Sequence, residues 1–329
     1  MGQLIEGVWH TDDAYLRPNG DGSFKRPPAV FRNWITEDGE PGPSGDGGFK
    51  AEADRYHLYV SYACPWAHRT LMFRNLKGLE NLISVSVVHP DMIEDGWTFG
   101  AFSGATGDQL YGQSFLRDIY TKADPQATCR VTVPVLWDRQ LETIVSNESS
   151  EIIRMFNSAF NHLTKNKVDF WPADLRDEID EVNARVYDTL NNGVYRCGFA
   201  TTQAAYDVAV RKLFETLDWL EDRLSPRRYL LGDMVTEADW RLVPTLFRFD
   251  SVYHLHFKCN RRRIIDYPNL WAYARELYQW SGVKETVNFD HIVRHYHYSH
   301  ESINPHRIIP INPILDWDAP HGREAGSGN

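Results

Sequence analysis

The chain has 329 residues, of which 42% are hydrophobic and 24% charged, as in a soluble globular protein with about two domains. Its formal net charge of −10 argues against general nucleic-acid binding and against binding to an anionic membrane surface, because both need clustered Lys and Arg. No apolar run approaches the roughly 20 residues of a membrane span, and residues 1–10 lack the features of a secretory signal. We therefore expect a cytoplasmic protein.

Residues 1–50 are predicted to form an N-terminal extension, because their Gly-, Pro- and Asp-rich stretches favour turns over packed elements. The pattern changes at Tyr56, where YHLYVSYA predicts a strand that ends at Cys64. A helix should follow, with Pro65 in its first turn and Gly78 near its end. LISVSVVHP, from residue 82, predicts a second strand. Together these elements fit a parallel βαβ unit.

A polar and aromatic insertion is expected from about 90 to 128. RVTVPVLWD and TIVS then predict a strand pair, and NESSEIIRMFNSAF predicts a helix that Ser146 or Asn147 could cap. The order βαβ followed by ββα is typical of a thioredoxin-like domain. After about residue 170, apolar residues recur at helical spacing, and Thr236 and Asp239 occupy the ends of a capping-box pattern.

The predicted fold class is therefore α/β plus all-α. We expect an extension at 1–50, a thioredoxin-like domain at 51–165, an all-helical C-terminal domain at 170–300 and a C-terminal tail at 301–329.

The four cysteines, Cys64, Cys129, Cys197 and Cys259, show no disulfide framework or zinc pattern and should be free thiols. Cys64 is expected at the start of a helix, where unpaired N–H groups and the helix dipole favour a nucleophilic thiolate. Arg69 could add to this positive field or face solvent.

Ala67 stands where a Cys-x-x-Cys motif has its second thiol. A mixed disulfide formed at Cys64 must then be resolved by an outside thiol, for which glutathione is the obvious cellular candidate. Cys64 is therefore the predicted catalytic nucleophile.

Two further dipeptides fit a bound glutathione. A cis Val133–Pro134 bond would direct the main-chain groups of Val133 towards the cysteinyl unit, although a trans bond at a strand edge is also open. Ser149 and nearby N–H groups suit the γ-glutamyl carboxylate, and Glu148 suits its ammonium group. Simple capping of the helix by the same residues is the alternative, and both roles can be combined.

With these motifs, the chain resembles cytosolic glutathione transferases. More narrowly, YACPWAHR, GWTFG, ATGDQLY, RVTVPVLWD, IVSNESSEIIRMFN, NNGVYRCGFA and VNFDHI resemble the glutathionyl-hydroquinone reductases, or Xi class. This resemblance covers nearly the whole chain. It implies that Cys64 attacks the sulfur of a glutathionyl-hydroquinone, and that a second glutathione resolves the mixed disulfide.

The resemblance also implies roles for individual residues. It adds Trp97 and Arg130 to the glutathione-binding set of Val133, Glu148 and Ser149. For the aromatic hydroquinone conjugate it implies Tyr195, Tyr296 and, more weakly, Tyr253, with Tyr195 as a catalytic candidate because the ring carbon needs a proton. A homodimer is also implied.

His291, His295, His297 and His300 are close in sequence. Because no carboxylate or cysteine has a convincing ligand spacing, we expect a structural or pocket role and no metal. Three functional alternatives stay open: an omega-like thioltransferase or dehydroascorbate reductase, a conventional conjugating transferase, and a ligand-binding module without enzymatic activity.

Overall fold

The computed structural model describes residues 2–11 and 19–323. Close packing groups the chain into two compact units. The first contains the described residues of Met1–Tyr15 with Pro27–Asp169 and Glu285–Ser299, and the second contains those of Leu16–Arg26 with Phe170–Lys284 and His300–Asn329. The predicted domain ranges follow the chain continuously, whereas the observed units interleave along it.

The first unit is built on a four-stranded sheet with the order β6 (Ile83–Val87), β5 (Tyr56–Val60), β7 (Val135–Asp138) and β8 (Thr143–Ser146). The central strand β5 is buried along its whole length, as its apolar and aromatic sequence predicts. It pairs in parallel with β6 and antiparallel with β7. The sheet and its crossover helix confirm the predicted βαβ and ββα order. The strands are Gln3–Ile5 (β1), Val8–His10 (β2), Trp34–Thr36 (β3), Gly48–Lys50 (β4), Tyr56–Val60 (β5), Ile83–Val87 (β6), Val135–Asp138 (β7) and Thr143–Ser146 (β8).

Four α-helices belong to the described part of this unit. They are Pro65–Leu76 (α1), Leu116–Ala123 (α2), Ser149–Ser158 (α3) and Phe289–Ser299 (α10). Helix α1 begins with Pro65, whose missing N–H would have no helical partner at that position. It ends before Gly78, which has a φ of +65° and so takes the left-handed conformation that glycine accepts most readily.

The predicted cap of α3 is wrong. Glu148 caps this helix, and its carboxylate accepts hydrogen bonds from the backbone N–H of Ser150 at 3.0 Å and from its hydroxyl at 2.7 Å. Ser146 and Asn147 have other partners: the Ser146 hydroxyl accepts from the N–H of Glu148 at 3.1 Å, and the side-chain amide oxygen of Asn147 accepts from the N–H of Phe31 at 3.1 Å.

The N-terminal segment and the insertion contain more structure than predicted. Strands β1 to β4 lie within residues 1–50, where turns alone were expected. With three residues each, these strands are too short for an alternation of apolar and polar residues to be recognised. Strand β1 also pairs with a distant part of the chain: Leu4 and Cys129 exchange backbone hydrogen bonds of 2.8 and 3.0 Å. Helix α2 lies in the insertion. Its buried Leu116, Ile119 and Tyr120 have the helical spacing that could have revealed it.

The second unit is helical, and β8 is the last strand among the described residues. Asp239 is fully buried and accepts hydrogen bonds from the N–H of Thr236 at 2.7 Å and of Leu230 at 2.9 Å. The first of these is the reciprocal bond of the predicted capping box. The helices are Arg176–Val186 (α4), Gly193–Gly198 (α5), Gln203–Leu224 (α6), Glu237–Arg248 (α7), His254–His256 (α8) and Pro268–Tyr278 (α9), with π-helical turns at Tyr187–Asn191 and Phe249–Tyr253.

No helix in the described part of the chain combines the length and apolar character needed to cross a membrane.

Candidate active site

Cys64 lies at the start of α1, where it closes a tight turn that begins at Ser61, directly after β5. Its backbone is extended, with φ −76° and ψ 121°, and its N–H donates to the carbonyl of Ser61 at 3.2 Å. The half-buried thiol donates to the carbonyl of Val133 at 3.5 Å. The bond from Val133 to Pro134 is cis. The sulfur therefore sits beside both the N-terminal end of a helix and the main chain of the segment before Pro134.

The residues after Cys64 point into the protein. Ala67 is fully buried, so the place of a second thiol is filled by a methyl group within the core. Arg69 is 1% exposed, and its guanidinium carbon lies 4.7 Å from the centre of the Trp66 ring. The alternative in which Arg69 faces solvent is therefore wrong.

The segment that carries Arg130 and Val133 is held on two sides. The backbone pairing of Cys129 with Leu4 fixes its beginning. The hydroxyl of Tyr120 donates to the carbonyl of Thr132 at 2.9 Å and accepts from its N–H at 3.2 Å. Burial raises the pKa of Tyr120 to about 12, so this phenol keeps its proton at neutral pH. The Arg130 side chain is half-buried.

Glu148 and Ser149 form the beginning of α3. Ser149 is 3% exposed and is the first residue of the helix, while Glu148 is half-buried and caps it. The backbone N–H groups of this first turn favour a negatively charged group. Glu148 therefore caps the helix, which is one of the two roles that the sequence allows for it.

Trp97 packs face to face with a histidine of α10. Its ring centre lies 4.9 Å from that of His295, with 20° between the ring planes. A ring nitrogen of His295 is hydrogen-bonded to the carbonyl of Pro90 at 2.8 Å. Tyr296 is 1% exposed, and its ring lies 5.2 Å from that of His295. The structure therefore brings Trp97 and Tyr296 to one aromatic group through His295, a link that the sequence analysis missed.

Tyr195 and Tyr253 lie together in the second unit. Their ring centres are 6.2 Å apart, and the ring of Phe257 packs against both, 5.4 Å from Tyr195 and 5.5 Å from Tyr253. Tyr195 is 8% exposed, whereas Tyr253 is fully buried. The guanidinium carbon of Arg26 lies 4.6 Å from the centre of the Tyr195 ring. No local sequence signal marks Arg26, because its position depends on tertiary packing.

The histidines near the end of the chain have separate surroundings. A ring nitrogen of His291 is hydrogen-bonded to the carbonyl of Ser103 at 2.6 Å, and burial lowers its pKa. His300 is hydrogen-bonded to His256 at 3.1 Å in the second unit. Within residues 2–11 and 19–323, no three His, Cys, Asp or Glu side chains form a group that could hold a metal ion.

Two family models match the chain. The model for the N-terminal domain of glutathione S-transferases matches residues 63–159, and that for the C-terminal domain matches residues 203–276. Together with the mixed sheet, the helical unit and the cysteine at the start of α1, these matches define the class of protein as a glutathione transferase.

Relatives with curated names are similar over nearly the whole chain. The glutathionyl-hydroquinone reductase YqjG of Escherichia coli is 59% identical and covers 100% of both chains. The glutathionyl-hydroquinone reductase PcpF of Sphingobium chlorophenolicum is 51% identical, covering 95% of this chain and 96% of its own. The solved glutathione-bound structure of YqjG has a TM-score of 0.91, with 98% and 99% of the two chains covered. The chain belongs to the glutathione transferase family and, within it, to the glutathionyl-hydroquinone reductases.

Proposed function

We propose that this chain catalyses the glutathione-dependent reduction of glutathionyl-hydroquinones to hydroquinones. Full-length relatives at 59% and 51% identity carry this name. The observation that carries the chemistry is Cys64, a half-buried thiol at a helix start with a buried Ala67 in the place of a resolving cysteine. A thiol in this position has to exchange with an external thiol.

In the first step, the Cys64 thiolate attacks the sulfur of the glutathionyl group. The carbon–sulfur bond breaks, its electron pair stays on the ring carbon, and that carbon takes a proton. The products are the hydroquinone and a Cys64–glutathione mixed disulfide. In the second step, a glutathione thiolate attacks the glutathionyl sulfur of this disulfide. Oxidised glutathione leaves, and the Cys64 thiolate is restored.

Glutathione is the co-substrate, and we assign its contacts to the first unit. The carbonyl and N–H of Val133 would pair with its cysteinyl unit, because this carbonyl already lies 3.5 Å from the Cys64 sulfur. The first turn of α3 with Ser149 would hold the γ-glutamyl carboxylate, and Glu148 its ammonium group. Arg130 would pair with a carboxylate. Trp97, oriented by its stack on His295, would cover the tripeptide.

We assign the hydroquinone conjugate to tyrosines. A phenol can donate a proton to the ring carbon or hydrogen-bond a hydroquinone oxygen. Tyr195 and Tyr296 are the candidates for these contacts. Tyr253, fully buried against Phe257, would support them as part of the substrate-binding set. We further propose a cytoplasmic homodimer without a metal cofactor; light scattering coupled to gel filtration tests the assembly.

The proposal is tested with Cys64→Ser and a matched control, Cys129→Ser. Cys129 is also half-buried, but burial raises its pKa to about 11, which makes it a poor nucleophile at neutral pH. After exposure to oxidised glutathione, intact-mass spectrometry should find one glutathione on the wild-type protein and on Cys129→Ser, and none on Cys64→Ser. Undiminished reductase turnover by Cys64→Ser would refute the proposed role.

An omega-like thioltransferase would share the cysteine step and differ in the acceptor. The rates on a glutathionyl-hydroquinone and on a glutathionylated disulfide separate the two functions. We expect the hydroquinone conjugate to react faster, and a faster disulfide reaction would favour the thioltransferase. Absence of any adduct on Cys64 would favour a ligand-binding module instead.

A further inference from the structure

We propose that residues 19–26, here called the strap, position Tyr195 for the reduction. Within the strap, Arg26 is the residue that orients Tyr195 and assists its proton transfer. The strap lies outside both family-model matches, which cover residues 63–159 and 203–276. The inference rests on the proposed function, since it concerns the step in which the aromatic ring accepts a proton.

The strap is fixed at the start of α6. The carbonyl of Gly22 accepts from the N–H of Thr201 at 3.1 Å, and the Thr202 hydroxyl donates to the carbonyl of Asp21 at 2.9 Å. Gly22 has a φ of +84°, and a Cβ atom there would lie 2.6 Å from the Thr202 side chain. A glycine is therefore required for this close approach.

Arg26 extends from the strap to the face of α5 that carries Tyr195. Its guanidinium carbon lies 4.6 Å from the centre of the Tyr195 ring, and its Nε donates to the side-chain carbonyl of Asn192 at 2.8 Å. Asn192 is three residues before Tyr195, and so on the same side of the chain at helical spacing. Arg26 is thus anchored next to the tyrosine that it covers.

A second strap residue packs against Phe199, a neighbour of Tyr195. Phe24 packs 5.3 Å from Phe199, which is four residues after Tyr195 and stacks 6.2 Å from it. Arg26 also lies over the Phe24 ring, at 5.8 Å. The strap therefore contacts α5 and its end through residues three before and four after Tyr195, as well as through the tyrosine itself.

This arrangement affects a tyrosine that donates a proton. A cation over an aromatic face is attracted by the ring and limits its movement. When the phenol gives up its proton, the oxygen becomes negative, and a nearby positive charge favours that form. Arg26 would therefore orient Tyr195 and lower the barrier of the proton transfer, while the exchange of thiols at Cys64 needs neither effect.

The test compares Arg26→Met and Arg26→Lys with a control, Arg176→Met. Arg176 also lies over an aromatic ring of the second unit, with its guanidinium carbon 4.1 Å from the centre of the Trp171 ring. None of the described interactions joins Arg176 to Tyr195, Tyr253 or Phe257. Each variant is assayed with a glutathionyl-hydroquinone and with hydroxyethyl disulfide, whose reduction requires no protonation of a ring carbon. Thermal unfolding is recorded for each.

We expect Arg26→Met to lower kcat for the hydroquinone conjugate about 10-fold, in keeping with the loss of a partly desolvated cation–π contact. Its disulfide reduction should be unchanged, and Arg26→Lys should recover part of the loss. In a Tyr195→Phe background, Arg26→Met should change kcat less than about 2-fold, because the effects of two substitutions are not additive when one residue acts through the other. Arg176→Met should match the wild type in both assays.

Each contrary result has a defined meaning. If Tyr195→Phe lowers kcat and Arg26→Met does not, the inference fails and the proposed role of Tyr195 stands. If Tyr195→Phe has no effect, the proposed role fails and the inference fails with it. Equal losses in both reactions, with a lower Tm, would show that the strap only stabilises the fold. Additive losses in the double variant would show that Arg26 does not act through Tyr195.

Discussion

Replacing Asp239 with alanine is expected to lower the free energy of unfolding of the second unit by about 3–5 kcal/mol. Its fully buried carboxylate accepts from the backbone N–H groups of Leu230 and Thr236 and from the hydroxyls of Thr236 and Tyr273, at 2.7 to 3.0 Å. Alanine would leave two buried backbone donors without an acceptor, each costing roughly 1–3 kcal/mol. It would also remove the carboxylate from the first turn of α7.

Asp239→Asn separates the hydrogen bonds from the volume of the side chain. The amide oxygen can still accept from Leu230 and Tyr273, but the amide NH2 group would face the N–H of Thr236. Because one bond is lost and two donors oppose each other, we expect a loss of about 2 kcal/mol. Asparagine should therefore be intermediate between the wild type and alanine.

Hydrogen exchange measured by mass spectrometry suits a chain with two units, since a single unfolding midpoint need not describe both. Protection should fall first in Glu237–Arg248 and change less in Ser149–Ser158. Asp233→Ala, at an exposed acid before α7, serves as the control and should exchange like the wild type. Losses below about 1 kcal/mol for both Asp239 variants would refute the reasoning, because no buried donor could then have lost its partner.

Two other predictions concern the first unit. His57, fully buried between the hydroxyls of Ser84 and Ser86, has its pKa lowered by burial to about 4 from 6.5. The unfolded chain therefore binds a proton first as the pH falls, so roughly 3 kcal/mol of stability present above pH 6.5 is lost towards pH 4. His57→Gln should reduce this slope in denaturant titrations across that range, and an unchanged slope would contradict the assignment. Glu148→Gln keeps an acceptor for Ser150 but loses the charge, so we expect KM for glutathione to rise about 10-fold with an unchanged Tm; a lower Tm with an unchanged KM would mean that Glu148 only caps the helix.

The part of the site near Cys64 could be predicted because its signals are local. One stretch of sequence contains the five residues of β5, the proline that begins α1 and the glycine that follows its end. In the structure, the five residues are buried and the glycine has a positive φ. The helix after β8 was equally visible. Its cap was not, because Ser146 and Asn147 are suitable residues whose side chains are engaged by other partners.

Contacts between distant parts of the chain could not be predicted. Trp97 and His295 are nearly 200 residues apart, and nothing in either neighbourhood indicates that the two rings stack. Arg26 and Tyr195 are likewise far apart in sequence, and no local pattern indicates that the guanidinium group lies over the ring. Such pairs depend on where whole elements pack, which helical or strand periodicity does not encode. The family resemblance supplied Trp97 and Tyr195 as candidates, but it did not supply the residues that hold them.

The return of the chain to the first unit has a consequence for its synthesis. Helix α10 supplies His295, which supports Trp97, yet it is translated only after the whole segment from Phe170 to Lys284. At roughly 5–20 residues per second, a ribosome needs on the order of 10 s to make that segment. During that interval the nascent sheet and its cysteine turn exist without their last helix. The first unit is therefore completed only after the segment from Phe170 to Lys284 has been made, although most of its own sequence is made before that segment.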